Sequence, residues 1–229
     1  MVDAPAVAVL ERSEVATGPE PLPWARRAEL GLGEAFRLTC KEVILRPRAA
    51  FERMGREGTI GGSLLFAWLA FCAGALATTA LLLLIALGKV LDAPTGRVDP
   101  YLLWTEVIIP LRFMGAVLVL APIATLLGSV MDHLMLWMFG VPSSFRSTLR
   151  AHALSQGVSL IGVVPVFSLP VMLLWCLGLR VMAYRKLYRL GWVTPVAVMV
   201  LPWVVLGLLG CATAVFWLFD SAMRENGLQ

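Results

Sequence analysis

Charge is what this chain has least of. Only 15% of its 229 residues are charged, against about 25% in a soluble globular domain. Histidine occurs twice, which leaves little for acid–base chemistry. The four cysteines form no CxxC pair: Cys72, Cys176 and Cys211 lie in apolar runs, and Cys40 stands alone in a basic segment. They read as small apolar fillers rather than a disulfide or metal framework. There is no G-x-S-x-G elbow, H-E-x-x-H helix, P-loop or dinucleotide fingerprint. Met1 to Leu10 has no basic start, and its apolar stretch ends at Glu11 and Arg12, so it does not read as a signal peptide. No catalytic residue, cofactor or metal is expected, and the chain does not read as an enzyme. The basic N-terminal segment lacks interleaved aromatics for base stacking, which argues against nucleic acid as a partner.

What is present is apolar. Hydrophobic residues make up 59% of the chain and mean hydropathy is +0.82. Several runs approach the roughly 20 residues that cross about 30 Å of hydrocarbon. The expected fold class is an all-α, multi-pass integral membrane protein. Five spans are read at about 63–87, 113–139, 149–167, 169–183 and 193–219. Residues 1–31, with Pro19, Pro21 and Pro23, read as a disordered polar arm. Residues 32–219 form the membrane domain and 220–229 a short tail. The stretch Tyr101 to Leu111 is too short to span and reads as a separate interfacial helix before Arg112.

Ahead of the first span, Phe36, Cys40, Val43 and Ile44 repeat at helical spacing, with Arg37 and Lys41 off that stripe. Pro47 breaks this helix and opens a second, which carries Ala50, Phe51 and Met54 on one side. Such a basic amphipathic segment suits the membrane interface. The candidate interface residues are Phe36, Lys41, Arg46, Arg48, Phe51 and Arg53. Their cations would meet acidic lipid head groups at about 1 kcal/mol each. Docking of a protein partner is the alternative use of this segment. In the first span, Ala70, Gly74 and Thr78 form a ridge of small residues that lets a neighbour approach closely. Gly207, Gly210 and Ala214 allow helix association, hence a possible oligomer.

Basic residues set the orientation. Fifteen of the 19 lysines and arginines fall in the N-terminal segment, the 140–150 turn and the region from Arg180 to Trp192. A five-span layout puts these three regions on one side, which the positive-inside bias makes cytoplasmic. The C-terminus then lies on the opposite side. Sixteen of the 19 are arginine, which fits a GC-rich bacterial genome and hence the bacterial inner membrane.

Polar groups concentrate around the second and third spans: Asp132, His133, Arg150, His152, Ser155 and Gln156, with Arg180 in the fourth. A charge in hydrocarbon costs several kcal/mol, so it faces protein and finds a partner. Asp132 is expected to pair with Arg150 or Arg180, with His133 or His152 adding a hydrogen bond. The cluster then either clamps the helix hairpin or marks a substrate, ion or proton path. A metal site is disfavoured, because Asp132 and His133 are adjacent on a helix and point about 100° apart.

Two segments carry a resemblance. One is AFRLTCKEVILRPRAAFERM; the other runs from His133 through Gly140 and on to Phe145, Thr148, Leu149, Arg150 and Ala151. With Pro165, Trp175, Tyr184, Ala197 and Pro202, the chain resembles the Yip domain family of integral membrane proteins over about residues 32–219. It departs from that pattern at FSLP after Pro165, where a glycine is often expected. The resemblance implies five helices, a cytoplasmic N-terminus and no catalytic residues. Eukaryotic members look like trafficking factors that bind Rab GTPases, a partner expected here only in a eukaryotic source. The implied role is a scaffold or adaptor that organises an as yet unknown protein partner, or lipids. The alternative is a small transporter or lipid-translocating protein working through the polar cluster.

Overall fold

The computed structural model describes residues 20–55, 58–92, 101, 104–163 and 168–225. Among them there are helices and turns but no strand. Short helices come first: a 3-10 turn at Pro23–Arg26, α1 (Arg27–Leu30), α2 (Leu32–Leu45) and α3 (Pro47–Glu52). Long helices follow: α4 (Ile60–Leu91), a π-helical turn at Trp104–Ile108 running into α5 (Ile109–Met138), α6 (Phe145–Ser155), a 3-10 stretch at Gln156–Val163, α7 (Ser168–Tyr188) and α8 (Val193–Glu225).

Three of these are long and apolar enough to cross a membrane: Ile60–Leu91, Trp104–Met138 and Val193–Trp217. The expected third and fourth spans are helical but depart from that simple form. Residues Ser147 to Ser155 of α6 are all buried, so this segment lies inside the protein rather than against lipid. The sequence read Tyr101 to Leu111 as a separate interfacial helix; the structure instead joins 104–108 to α5 through a π-turn. Pro110 sits in the first turn of α5, where its missing N–H costs nothing.

The polar arm also ends earlier than expected. Residues 1–19 lie outside the described residues. From 20 onward the chain is folded, because Leu22 and Trp24 are buried in the core. The Trp24 backbone N–H donates to Thr39 Oγ1 at 2.8 Å. Its indole N–H donates to the Gly62 carbonyl at 3.0 Å, and its ring meets Phe66 edge-on at 5.1 Å. This anchoring rotates α2 slightly from the expected stripe. Ala35, Thr39, Cys40 and Val43 are buried, while Phe36 and Ile44 are half-buried. Ala50, Phe51 and Met54 point into the core as the spacing predicts. The apolar side of α2 and α3 therefore packs on protein.

The ridge of small residues on α4 does what its spacing implies. A Cβ placed on Gly74 would lie 2.4 Å from the Ser159 carbonyl oxygen. Only hydrogen at this position lets α4 and the 3-10 stretch touch backbone to backbone. At the end of α5, Gly140 adopts φ +70°. The Val141 N–H then reaches the Leu136 carbonyl at 3.0 Å and the Gly140 N–H the Trp137 carbonyl at 2.9 Å. This paired closure stops the helix and turns the chain back towards α6.

Gly74→Ala is expected to destabilise the protein by about 1–3 kcal/mol through overpacking. Gly115→Ala, with open space around its Cβ, should be neutral or stabilising because alanine favours helix by about 1 kcal/mol. Thermal unfolding of both variants in the same detergent tests this; equal melting points would refute the close approach.

Candidate functional site

Asp132 sits on α5, six residues before the end of that helix at Met138, about 9 Å at 1.5 Å per residue. Its backbone position is fixed by helix geometry, and its carboxylate is taken up by side chains from two other helices. Tyr184 of α7 donates its hydroxyl to Asp132 Oδ2 at 2.7 Å. His152 of α6 places Nδ1 2.7 Å from the same oxygen. Arg180 of α7 brings Nη1 to 3.7 Å, an ion pair rather than a direct hydrogen bond. Asp132, His152 and Tyr184 are all buried, at 5%, 2% and 0% exposure, so these contacts act in a low dielectric where each counts for more.

The tautomer of His152 follows from its neighbours. A carboxylate oxygen only accepts, so Nδ1 carries the hydrogen. Nε2 then accepts from the Gln156 side-chain amide at 3.2 Å, and the Cys176 thiol donates to the other end of that amide, Oε1, at 3.8 Å. Ser155 donates to the His152 carbonyl at 2.6 Å and accepts from Arg180 Nε at 3.3 Å. Space for the imidazole comes from α5 itself: a Cβ on Gly128 would lie 2.6 Å from His152 Cε1.

Of the seven polar residues singled out from sequence, five therefore meet: Asp132, His152, Ser155, Gln156 and Arg180. The other two do not. His133 points to the turn, where Nδ1 contacts Ser143 Oγ at 3.1 Å and its ring meets Phe145 at 5.8 Å. Arg150 points to the opposite side of α6, donating from Nη1 to the Gly55 carbonyl at 2.9 Å. Of the two arginines offered as partners for Asp132, Arg180 is the one that arrives. Tyr184 was missed as a site residue. Its signal was the spacing Cys176, Arg180, Tyr184, Tyr188, a polar stripe at i+4 along an apolar helix. Tyr188 extends that stripe to Thr148 at 2.8 Å.

A cavity of about 210 Å³ lies against the outer side of Arg180, lined also by Leu173, Cys176, Leu177 and Trp203. Among the described residues no group of three His, Cys, Asp or Glu gathers in a way that holds a metal.

The six residues expected at the membrane interface divide into two kinds. Phe51 is buried. Arg53 bonds Glu42 at 2.9 Å and the Glu20 carbonyl at 2.6 Å, stapling the N-terminal segment onto α2. Phe36 belongs to an aromatic trio with Trp24 and Phe66. Lys41, Arg46 and Arg48 are exposed. The α3 helix docks on α7, where Lys186 pairs with Glu52 and its ammonium holds the Glu52 carboxyl below the usual carboxylate range.

Replacing Asp132 by Asn removes the countercharge of Arg180 and weakens the acceptor for two donors. Loss of one partner from a buried pair costs about 3–5 kcal/mol, a melting-point drop on the order of 10 °C for a chain of this size. Tyr184→Phe should cost less, about 1.5–3 kcal/mol for one hydrogen bond to a charged group. The double variant should fall short of the sum, because both changes act on one oxygen. Thermal unfolding of the three variants checks this, and strict additivity would speak against a shared junction.

The family model described as the Yip1 domain matches residues 41–214, most of the chain and all of the elements that build the junction. No curated protein and no solved structure gives a significant match. An apolar helical bundle with this match is an integral membrane protein of multi-pass type, and the chain belongs to the Yip1 domain family.

Proposed function

We infer that this protein is a non-enzymatic membrane scaffold or adaptor, one that organises protein partners or lipids at the cytoplasmic face. The observation that carries this reading is the junction itself. Its donors and acceptors are spent on one another, tying α5, α6 and α7 together, whereas a transport path exposes its ionisable groups to a water-filled route. The outward cations Lys41 on α2, Arg46 at the link between α2 and α3, and Arg48 on α3 belong to a segment fixed to the bundle, a basic face suited to acidic head groups or to an acidic partner surface.

The five-span layout belongs to the same reading. By rise per residue, α6 contributes about 16 Å and the eight-residue 3-10 stretch about another 16 Å. Together they match about 30 Å of hydrocarbon, because the tighter 3-10 winding lengthens the segment. The 21 residues of α7 reach about 31 Å. The charge bias then puts the N-terminus in the cytoplasm of a bacterial cell.

Topology is testable by cysteine labelling, though not at Cys40. That thiol is 1% exposed, and burial pushes it up to about 12, so it stays unreactive in the folded protein. In a cysteine-free background, an impermeant maleimide added to intact cells should label Asp92→Cys and spare Arg48→Cys. The reverse pattern would invert the orientation.

The role is tested by reconstitution and proximity labelling together. The scaffold reading expects no solute or lipid flux in proteoliposomes that depends on Asp132. It also expects a reproducible set of neighbours labelled from the N-terminal segment. The cavity beside Arg180 is what a transporter reading would build on. Flux abolished by Asp132→Asn or His152→Ala in folded protein would establish that reading instead.

A further inference from the structure

Arg180 has two sides. One is turned to the junction. The other lines the cavity of about 210 Å³ between α7 and α8, together with Leu173, Cys176, Leu177 and Trp203. A guanidinium carries five N–H donors and accepts nothing. Among the described residues, Nε finds Ser155 Oγ at 3.3 Å and Nη2 finds the Cys176 sulfur at 3.6 Å. Nη1 lies 3.7 Å from Asp132 Oδ2, close enough to balance the charge and too far for a hydrogen bond. The charge of Arg180 is therefore met, while its Nη1 donors have no acceptor among the described residues.

The rest of the described lining is apolar or soft. Its rim is on the outer surface of the bundle, where Leu173 is 52% and Trp203 63% exposed. In the bilayer placement of α7 proposed above, that surface meets lipid. The site rests on that placement and not on the choice between scaffold and transporter. Water is a poor occupant. It needs about two to four polar partners, and the described lining offers one guanidinium and a thiol sulfur already engaged by it. An anion is not called for either, because Asp132 already balances the charge. What remains is an uncharged acceptor attached to an apolar chain. The volume falls below the roughly 300–1,000 Å³ of sites for drug-sized ligands, which admits part of one chain and leaves a whole lipid outside.

We propose that this cavity holds one acyl chain of a bilayer glycerolipid, with an ester carbonyl of that lipid accepting from Arg180 Nη1. The chain then lies along Leu177, Leu173 and Trp203. From Arg180 to Leu173, α7 rises about 10 Å. In the proposed orientation Arg180 is the nearer of the two to the cytoplasm, so a lipid of the cytoplasmic leaflet presents its ester and then its chain in that same order. Recognition is by the ester, and head groups of either charge serve.

The test uses the full chain in mixed micelles with a phosphatidylcholine that carries a diazirine in one acyl chain, adducts being mapped by peptide mass spectrometry. Label is expected on Leu177 and Trp203 that unlabelled lipid displaces at low concentration. Leu174, 71% exposed on the outside of α7, should take label that resists displacement. Diacyl phosphatidylcholine and diacyl phosphatidylglycerol should compete equally. Dialkyl-ether phosphatidylcholine, which lacks the carbonyls, should compete about tenfold less well, as loss of one hydrogen bond to a charged group implies. Leu173→Trp should fill the cavity and abolish the displaceable label. The ether comparison uses the unaltered chain and so decides regardless of how that variant folds. Equal competition by the ether lipid, a strong preference for phosphatidylglycerol, or label on Leu177 and Trp203 no easier to displace than that on Leu174 would overturn the proposal. A bare Leu174 would in addition sink the bilayer placement of α7, which separates the two failures.

Discussion

One oxygen, Oδ2 of Asp132, carries the heaviest constraint in this bundle. A hydroxyl, an imidazole N–H and a guanidinium from two other helices converge on it. Helices in a membrane gain nothing from burying apolar side chains against one another, since lipid is equally apolar. What distinguishes one arrangement of α5, α6 and α7 from another is therefore polar and steric. The junction accepts only the register in which His152 faces Gly128 and Tyr184 reaches across. A one-residue slip of any of the three helices would turn its contributor by about 100° and leave a charge unpaired in a low dielectric.

Steric fit supplies the other half of the specification. Gly74 and Gly128 sit on different helices and serve different neighbours, a carbonyl oxygen and an imidazole. Both work by subtraction: the missing side chain is the space that the neighbour occupies. The buried part of α6, Ser147 to Ser155, depends on this arrangement. It carries Thr148, Arg150, His152 and Ser155 at or below 8% exposure, a polar content that lipid would not tolerate and that protein on every side makes admissible. Its two faces do different things, with His152 turned to the carboxylate and Arg150 to the start of α4.

Much of this was legible in residue order. The small ridge at Ala70, Gly74 and Thr78 announced a close approach, and polar residues inside an apolar chain announced an internal tie. Helical spacing placed Ala50, Phe51 and Met54 correctly. What the pattern did not reveal came from contacts distant in sequence. Choosing between Arg150 and Arg180 for Asp132 required knowing which side of α6 faces α5, and both lie at plausible depth. Residues 20–31 looked like a disordered arm because they continue the turn-forming run Gly18-Pro19-Glu20-Pro21 and Pro23. Trp24 overrides that composition through Thr39, Gly62 and Phe66, none of which is close to it along the chain. The join at 104–108 was hidden because Pro110 and Arg112 look like a boundary, whereas a proline in a first helical turn is no obstacle.

The last helix differs from all of this. Among the described residues of α8, Pro195, Val198 and Met199 in the first two turns are buried, whereas from Val200 to Trp217 nearly every side chain is exposed. Its remaining length has lipid as its solvent and few protein neighbours to hold its tilt. That stretch therefore adds little to what holds the bundle together, and the register of the fold is set by the junction and the helices beside it.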